Sequence, residues 1–188
     1  MSVLLVRPEH CCLHIIDPQL ALMAHIQEAD RVTANIVRLI ECARILKMPI
    51  LANTQYKKGL GPYVPVLEEM MADTPRPDKT EFNALTNMET RTLVDKLPES
   101  VTTLILAGVE THICIYQTAM GALERGLTPW VVADAVSSRA RNNHELGLAR
   151  LSAAGAIVGP AEMIIYELLG RAGTPEFKAM LPYVVSGE

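Results

Sequence analysis

Cys114, Asp17 and Lys79 are the residues of this chain whose types and positions suit thiol chemistry. The apolar spacing predicts a helix soon after Gly108, with Cys114 in its first turn. A thiol there meets the positive end of the helix macrodipole, which lowers its pKa and favours thiolate. The N–H groups of a first turn lack intrahelical partners and can hold an anion. One short segment therefore has the means to supply a nucleophile and an oxyanion hole. The competing reading is a buried structural thiol, the usual state of a free cysteine. Asp17 closes a predicted strand, where a carboxylate can accept a thiol proton, but Asp before Pro18 is also an ordinary turn opener. Lys79 lies in the weakly patterned Pro77-Asp78-Lys79-Thr80-Glu81-Phe82, where a lysine is most simply a solvated charge. Taken singly, each of these two ionisable residues is better explained by structure than by catalysis.

The other cysteines serve as controls. Cys11 and Cys12 sit at the start of a predicted strand and Cys42 inside a long predicted helix, so all three read as core thiols. The elements that must position the site alternate along the chain. Residues 12–16 read as a buried strand. Val32, Ile36, Leu39, Ile40, Ala43 and Leu46 give helical spacing over 31–46, and Pro49 opens a second apolar run over 50–52. Shorter helices are predicted over 64–71 and 90–97, the latter ended by Pro98. Residues 101–106 form the clearest strand, stopped by Ala107-Gly108, and a helix over 111–125 ends at Gly126. Strands over 130–133 and 156–158 then alternate with helices over 144–153 and 161–169, and a short helix closes over 175–181.

Strands apolar on both faces, alternating with helices, predict an α/β fold: a three-layer Rossmann-like domain with a mostly parallel central sheet and helices on both faces. At 188 residues, the whole of 1–188 suits one domain. Ligands of such sheets bind beyond the carboxyl ends of the strands, where Asp17, Gly108 to Thr111 and Asp134 fall.

Composition excludes several functions. A hydrophobic share of 49% argues against disorder, and the two Phe and one Trp leave the core to aliphatic residues. With a net charge of −4 and scattered Lys and Arg, there is no basic field for nucleic acid or for a membrane surface. No apolar run approaches the ~20 residues of a membrane span. The first ten residues lack the layout of a secretory signal, so a cytoplasmic location is expected.

A resemblance now joins these residues. Gly108-Val109-Glu110-Thr111-His112-Ile113-Cys114-Ile115-Tyr116-Gln117-Thr118-Ala119 resembles the nucleophile motif of the isochorismatase-like cysteine hydrolases. Asp17-Pro18-Gln19 is similar to that family's Asp-x-Gln motif. Lys79-Thr80-Glu81-Phe82-Asn83-Ala84-Leu85 is similar to its Lys-x-x-Phe-Ser-Ala-Phe segment, with Asn83 and Leu85 as departures. Val132-Ala133-Asp134-Ala135-Val136-Ser137-Ser138-Arg139 matches a further block. The four blocks stand in family order over nearly the whole chain. Gln55-Tyr56-Lys57-Lys58-Gly59-Leu60-Gly61-Pro62 and Phe177-Lys178 look most like the isochorismatase-domain-containing branch.

The resemblance implies a catalytic set. Asp17 takes the thiol proton, Lys79 stabilises the charged pair and lowers the thiolate pKa, and Cys114 attacks a carbonyl or similar carbon. It places a cis peptide at Val109–Glu110, with the N–H groups of Glu110 and Cys114 aimed at the developing oxyanion. Gln19, Phe82 and Tyr116 are the implied substrate-binding residues, and Cys114 is expected to titrate well below the ~8.5 of a free thiol. A homo-oligomer acting on a small-molecule substrate, without cofactor, is also implied.

Departures narrow the reading. Metal-dependent nicotinamidases of the superfamily carry an Asp-x-His motif after the second strand, whereas Leu51-Ala52-Asn53-Thr54-Gln55-Tyr56 has neither residue. His10 and His14 are four apart in or beside a strand, about 13 Å rather than one helical turn. No metal is therefore expected. True isochorismatases cleave a vinyl ether without needing the cysteine, so Cys114 favours acyl chemistry on an amide, imide or ester. Vinyl-ether hydrolysis stays open as an alternative. So does a non-catalytic interaction protein keeping the fold, against which the complete set of three residues counts. A peroxide-sensitive thiol ranks last, because no resolving cysteine can be identified.

Overall fold

The computed structural model describes residues 5–185, so the apolar opening run over 3–6 begins outside the described residues. In chain order the elements are β1 (Cys11–Ile16), α1 (Leu20–Met23), α2 (Ala29–Ile45), β2 (Ile50–Gln55), α3 (Lys57–Leu60), α4 (Pro65–Met70) and β3 (Asp78–Lys79). They continue with α5 (Met88–Val94), β4 (Thr103–Val109), α6 (Tyr116–Glu124), β5 (Thr128–Ser137), α7 (Arg141–Ala153), β6 (Ile157–Gly159), α8 (Ala161–Leu169) and α9 (Pro175–Val185). The six strands form one sheet in the order β3-β2-β1-β4-β5-β6, with every neighbouring pair parallel.

Strand side chains alternate between two cores. Leu13, Ile15, Ile105, Ala107, Trp130 and Val132 face a cluster completed by α2, α8 and Met180 of α9. Cys12, Ile16, Leu104, Leu106 and Val131 face a second cluster completed by Val94, Ile115, Ala119, Ala122 and Leu151. Both faces of the central strands are covered, which is why those strands read as mostly apolar runs, with His14 a polar exception in β1.

The differences from sequence expectation are local. β5 runs well past the predicted 130–133, because its pairing with β4 shifts register between Leu106 and Gly108 and resumes at Val136 and Ser137. The helix predicted over 111–125 opens as a π-type turn, Thr111–Ile115, before α6 begins. Lys79 belongs to a two-residue strand at the sheet edge, paired in register with Gln55. Among the described residues, no helix is long and apolar enough to cross a membrane.

Candidate active site

The carboxyl ends of β1, β2 and β4 meet edge strand β3 around Cys114. Asp17 follows β1 directly, with a backbone φ of 56°. Left-handed backbone is costly for a residue with a Cβ and persists where the surroundings impose it. Here the Asp17 N–H donates to Asn53 O at 3.2 Å, and Asp17 O accepts from the Gln19 N–H at 2.7 Å. Gly108 brings β4 close alongside: a Cβ at that position would stand 1.9 Å from Ile16 O. No other residue type allows this approach.

Lys79 is not a solvated charge. Its side chain and that of Asp17 are both 0% exposed, with Nζ 2.6 Å from Asp17 Oδ2. Nζ also lies 2.5 Å from Gln55 Oε1. Burying two charges costs several kcal/mol per ion, so such a pair does little for stability and points toward chemistry instead. Tying Ala84 N–H to Thr118 Oγ1 at 3.0 Å fastens the segment after Lys79 to α6.

Cys114 lies in the π-type turn, 6% exposed, with Sγ 4.0 Å from Gln55 Oε1. Turns of this type recur at functional sites because they reorient a few side chains within a helix. Asp17 Oδ1 is buried and makes no hydrogen bond of ordinary geometry among the described residues. The Cys114 thiol nevertheless acts on this carboxylate, since each shifts the titration of the other. Burial, opposed by Lys79 and the thiol, holds the Asp17 carboxyl up at about 6.

The expectation of a lowered thiol pKa is corrected. Burial pushes Cys114 up to about 12, the Asp17 charge adds to the rise, and Lys79 offsets only part of it. Loss of hydration and a facing anion outweigh the helix start. In the resting state the sulfur is therefore a thiol.

The remaining predicted residues take different places. The Val109–Glu110 peptide is cis. Glu110 O accepts from Ile113 N–H and Ile115 N–H, passing over that of Cys114. The Glu110 carboxylate takes the Arg139 N–H at 2.8 Å, which fastens the loop after β5 to this turn. His112 is held at Nδ1 by Ser138 Oγ, 2.9 Å away, and at Nε2 by Asn143. Thr111 Oγ1 meets His144 Nδ1 at 2.9 Å. Both histidines thus brace the turn.

Gln19, expected to touch substrate, is fully buried with its amide engaged by backbone. Nε2 donates to Gln55 O and Gly61 O, while Oε1 accepts the Gln55 N–H. Buried and with both N–H donors spent on backbone, it fixes the end of β2. Phe82 is 51% exposed three residues beyond Lys79. Tyr116 is half-buried and lines a cavity of about 320 Å³ with His112, Leu146 and Arg150.

Gln55 is the residue that sequence reasoning missed. It ends β2 as Asp17 follows β1, so inspecting every strand end would have found it. Among the described residues, no three His, Cys, Asp or Glu side chains converge in a way that could hold a metal ion.

Residues 11–163 match the Isochorismatase domain family model. Isochorismatase domain-containing protein 2 of Rattus norvegicus is 33% identical, the match covering 91% of this chain and 79% of that one. The solved structure of MAR1 ribonuclease from Caenorhabditis elegans is 36% identical with a TM-score of 0.88, covering 96% of this chain and 92% of that one. YcaC from Pseudomonas aeruginosa, solved with hexane-2,5-diol and covalent acrylamide, is 25% identical with a TM-score of 0.89, covering 99% and 96%. The six-stranded parallel sheet, the order of its site motifs and these matches together mean that this chain belongs to the isochorismatase family and has its hydrolase fold.

Proposed function

We propose that the protein is a cysteine-dependent hydrolase of a small molecule bearing an amide, imide or ester-like bond, acting through Cys114, Asp17 and Lys79. The observation that carries this reading is the fully buried Lys79–Asp17 ion pair, 2.6 Å long, whose ammonium shares the Gln55 Oε1 acceptor with the Cys114 thiol. The covalent acrylamide in the P. aeruginosa relative accords with a reactive group in this fold.

Proton transfer from a thiol near 12 to a carboxylate near 6 is uphill at rest, so it must accompany attack. As the Cys114 Sγ–carbon bond forms, the thiol proton passes to Asp17 and the carbonyl π electrons move onto oxygen. The N–H groups of Glu110 and Cys114 are the proposed donors to that oxyanion. Its collapse breaks the bond to the amine or alcohol, which leaves with the proton from Asp17. Water then adds to the thioester and gives one proton to Asp17. Collapse of this second tetrahedral species breaks the carbon–sulfur bond, releases the acid and returns the proton to sulfur. The positive charge of Lys79 balances the negative charge as it moves between Asp17 and the sulfur–substrate adduct.

The reading includes a homo-oligomer, for which exposed Leu146, Met163 and Tyr166 offer apolar surface. RNA, the substrate class in the name of the C. elegans protein, is not carried over. The chain has a net charge of −4, and the ammonium at the site is buried and already paired.

The test is hydrolysis of a panel of small amides, cyclic imides and esters, with acyl-enzyme trapped and its site located by mass spectrometry. A substrate-derived acyl group on Cys114, absent from Cys114→Ala, is expected. Undiminished turnover by Cys114→Ala would overturn the mechanism.

A further inference from the structure

Gln55 stands closer to the proposed nucleophile than its sequence context suggests. Parallel pairing of β2 with β3 sets it in register with Lys79. Its carboxamide is fixed at both ends: Nε2 donates to Thr80 O at 3.0 Å, which leaves Oε1 to accept from Lys79 Nζ at 2.5 Å. The same oxygen is 4.0 Å from Cys114 Sγ. The Gln55 backbone is clamped in turn by Gln19, whose side-chain oxygen accepts the Gln55 N–H at 2.7 Å. An ammonium has three N–H bonds. Asp17 and Gln55 take two of them, and the third is available to the sulfur or to a bound substrate.

Charge decides what an acceptor at this position can do. A carboxylate would hold Lys79 equally well but would place a second anion near the sulfur, beside Asp17. One cation would then face two fixed anions, and a third negative charge forming on Cys114 would be opposed. A neutral carboxamide supplies the hydrogen bond without that penalty.

Resting on the reading of Cys114 as nucleophile, we propose that Gln55 is a positioning residue, whose neutral oxygen holds the Lys79 ammonium beside the sulfur and preserves its positive charge for the thiolate.

The experiment follows alkylation of Cys114 and Cys42 by iodoacetamide against pH in the intact protein, read by peptide mass spectrometry. Wild type, Gln55→Glu, Gln55→Leu and Lys79→Ala are compared. Gln55→Glu is expected to slow Cys114 about tenfold or more at neutral pH and to move its rate–pH profile upward. Gln55→Leu is expected to slow it several-fold by freeing Lys79, with Cys42 unchanged in both variants. Gln55 is half-buried, so Gln55→Leu keeps the test available if the charged variant does not fold. A role confined to structure would lower Tm and leave the Cys114 profile where it was. If both Gln55 variants keep the wild-type rate and profile while Lys79→Ala slows Cys114, the proposal for Gln55 falls and the nucleophile reading stands. If wild-type Cys114 reacts no faster than Cys42, both fall.

Discussion

Cys42 and Cys114 are both free and buried, and burial pushes both thiols up to about 12. They differ in company. Around Cys42, in the middle of α2, the further influence is another thiol, Cys11. Around Cys114 a carboxylate raises the pKa and an ammonium lowers it. A resting pKa therefore fails to distinguish a core thiol from a candidate nucleophile. What separates them is whether a base and a cation are placed to act once a substrate has displaced water and the sulfur begins to lose its proton. Cys42 could become thiolate only by paying for an isolated buried anion, which no neighbour offsets.

The largest effect expected from this difference is on turnover. Cys114→Ala should reduce hydrolysis of any substrate found in the panel by about a thousandfold or more, measured as steady-state kcat/KM. Lys79→Met comes next, because it strands the Asp17 carboxylate without its counterion. Breaking a buried pair in this way costs about 3–5 kcal/mol, read by chemical denaturation. Adding Asp17→Leu should return most of that stability without returning activity, since two matched apolar groups replace two matched charges. Recovery of activity in the double variant would show that the pair serves the fold and would remove the contrast with Cys42.

Much of this contrast could be read in the sequence, for identifiable reasons. β1 and β4 are apolar on both faces, so their ends could be placed, and with them Asp17 and the turn carrying Cys114. The segment around Lys79 resisted reading because β3 has only two residues and no periodicity. Its burial is imposed by Gln55 and Asp17 from distant parts of the chain. Gln55 was missed because the apolar run of β2 stops at Ala52. Asn53 is buried because His14 Nε2, Pro77 O and Thr90 Oγ1 together satisfy its side chain. The π-type opening was also invisible, since Ile115 and Ala119 fit one helical stripe whether the first turn is wide or regular. The helix-start argument for an acidic thiol failed because it counted one local field and omitted the loss of hydration.

The pH dependence gives a smaller effect and tests the base rather than the nucleophile. Asp17 must be ionised to accept the thiol proton, so kcat/KM should fall as pH drops below about 6. Stability runs the other way. The folded-state pKa of Asp17 lies above the ordinary 3.8, so its protonated form favours the fold. That contribution is complete below about 3.8 and is lost as pH rises through about 6. His14 opposes it: burial holds this imidazole at about 4, so its share of stability is intact above 6.5 and is lost as pH falls towards 4. The Asp17 share is therefore the difference between the stability–pH curves of wild type and Asp17→Asn, both of which carry His14. A flat difference between pH 4 and 7 would mean that the carboxyl titrates as an ordinary one. Asp17 would then lack the environment assigned to it.

The smallest effect belongs to Cys42→Ala. Removing a sulfur from the α2 face of the core leaves a small void, at a cost of about 1 kcal/mol. Thermal or chemical denaturation would register that cost, while kcat/KM and the alkylation profile of Cys114 should stay at wild-type values. The reason is geometric: α2 covers the core opposite the one that contains Cys114, so the central sheet separates the two sulfurs. A change in the Cys114 profile in Cys42→Ala would mean that packing on one side of the sheet sets the geometry of the thiol on the other. The two cysteines would then differ in degree of coupling rather than in kind.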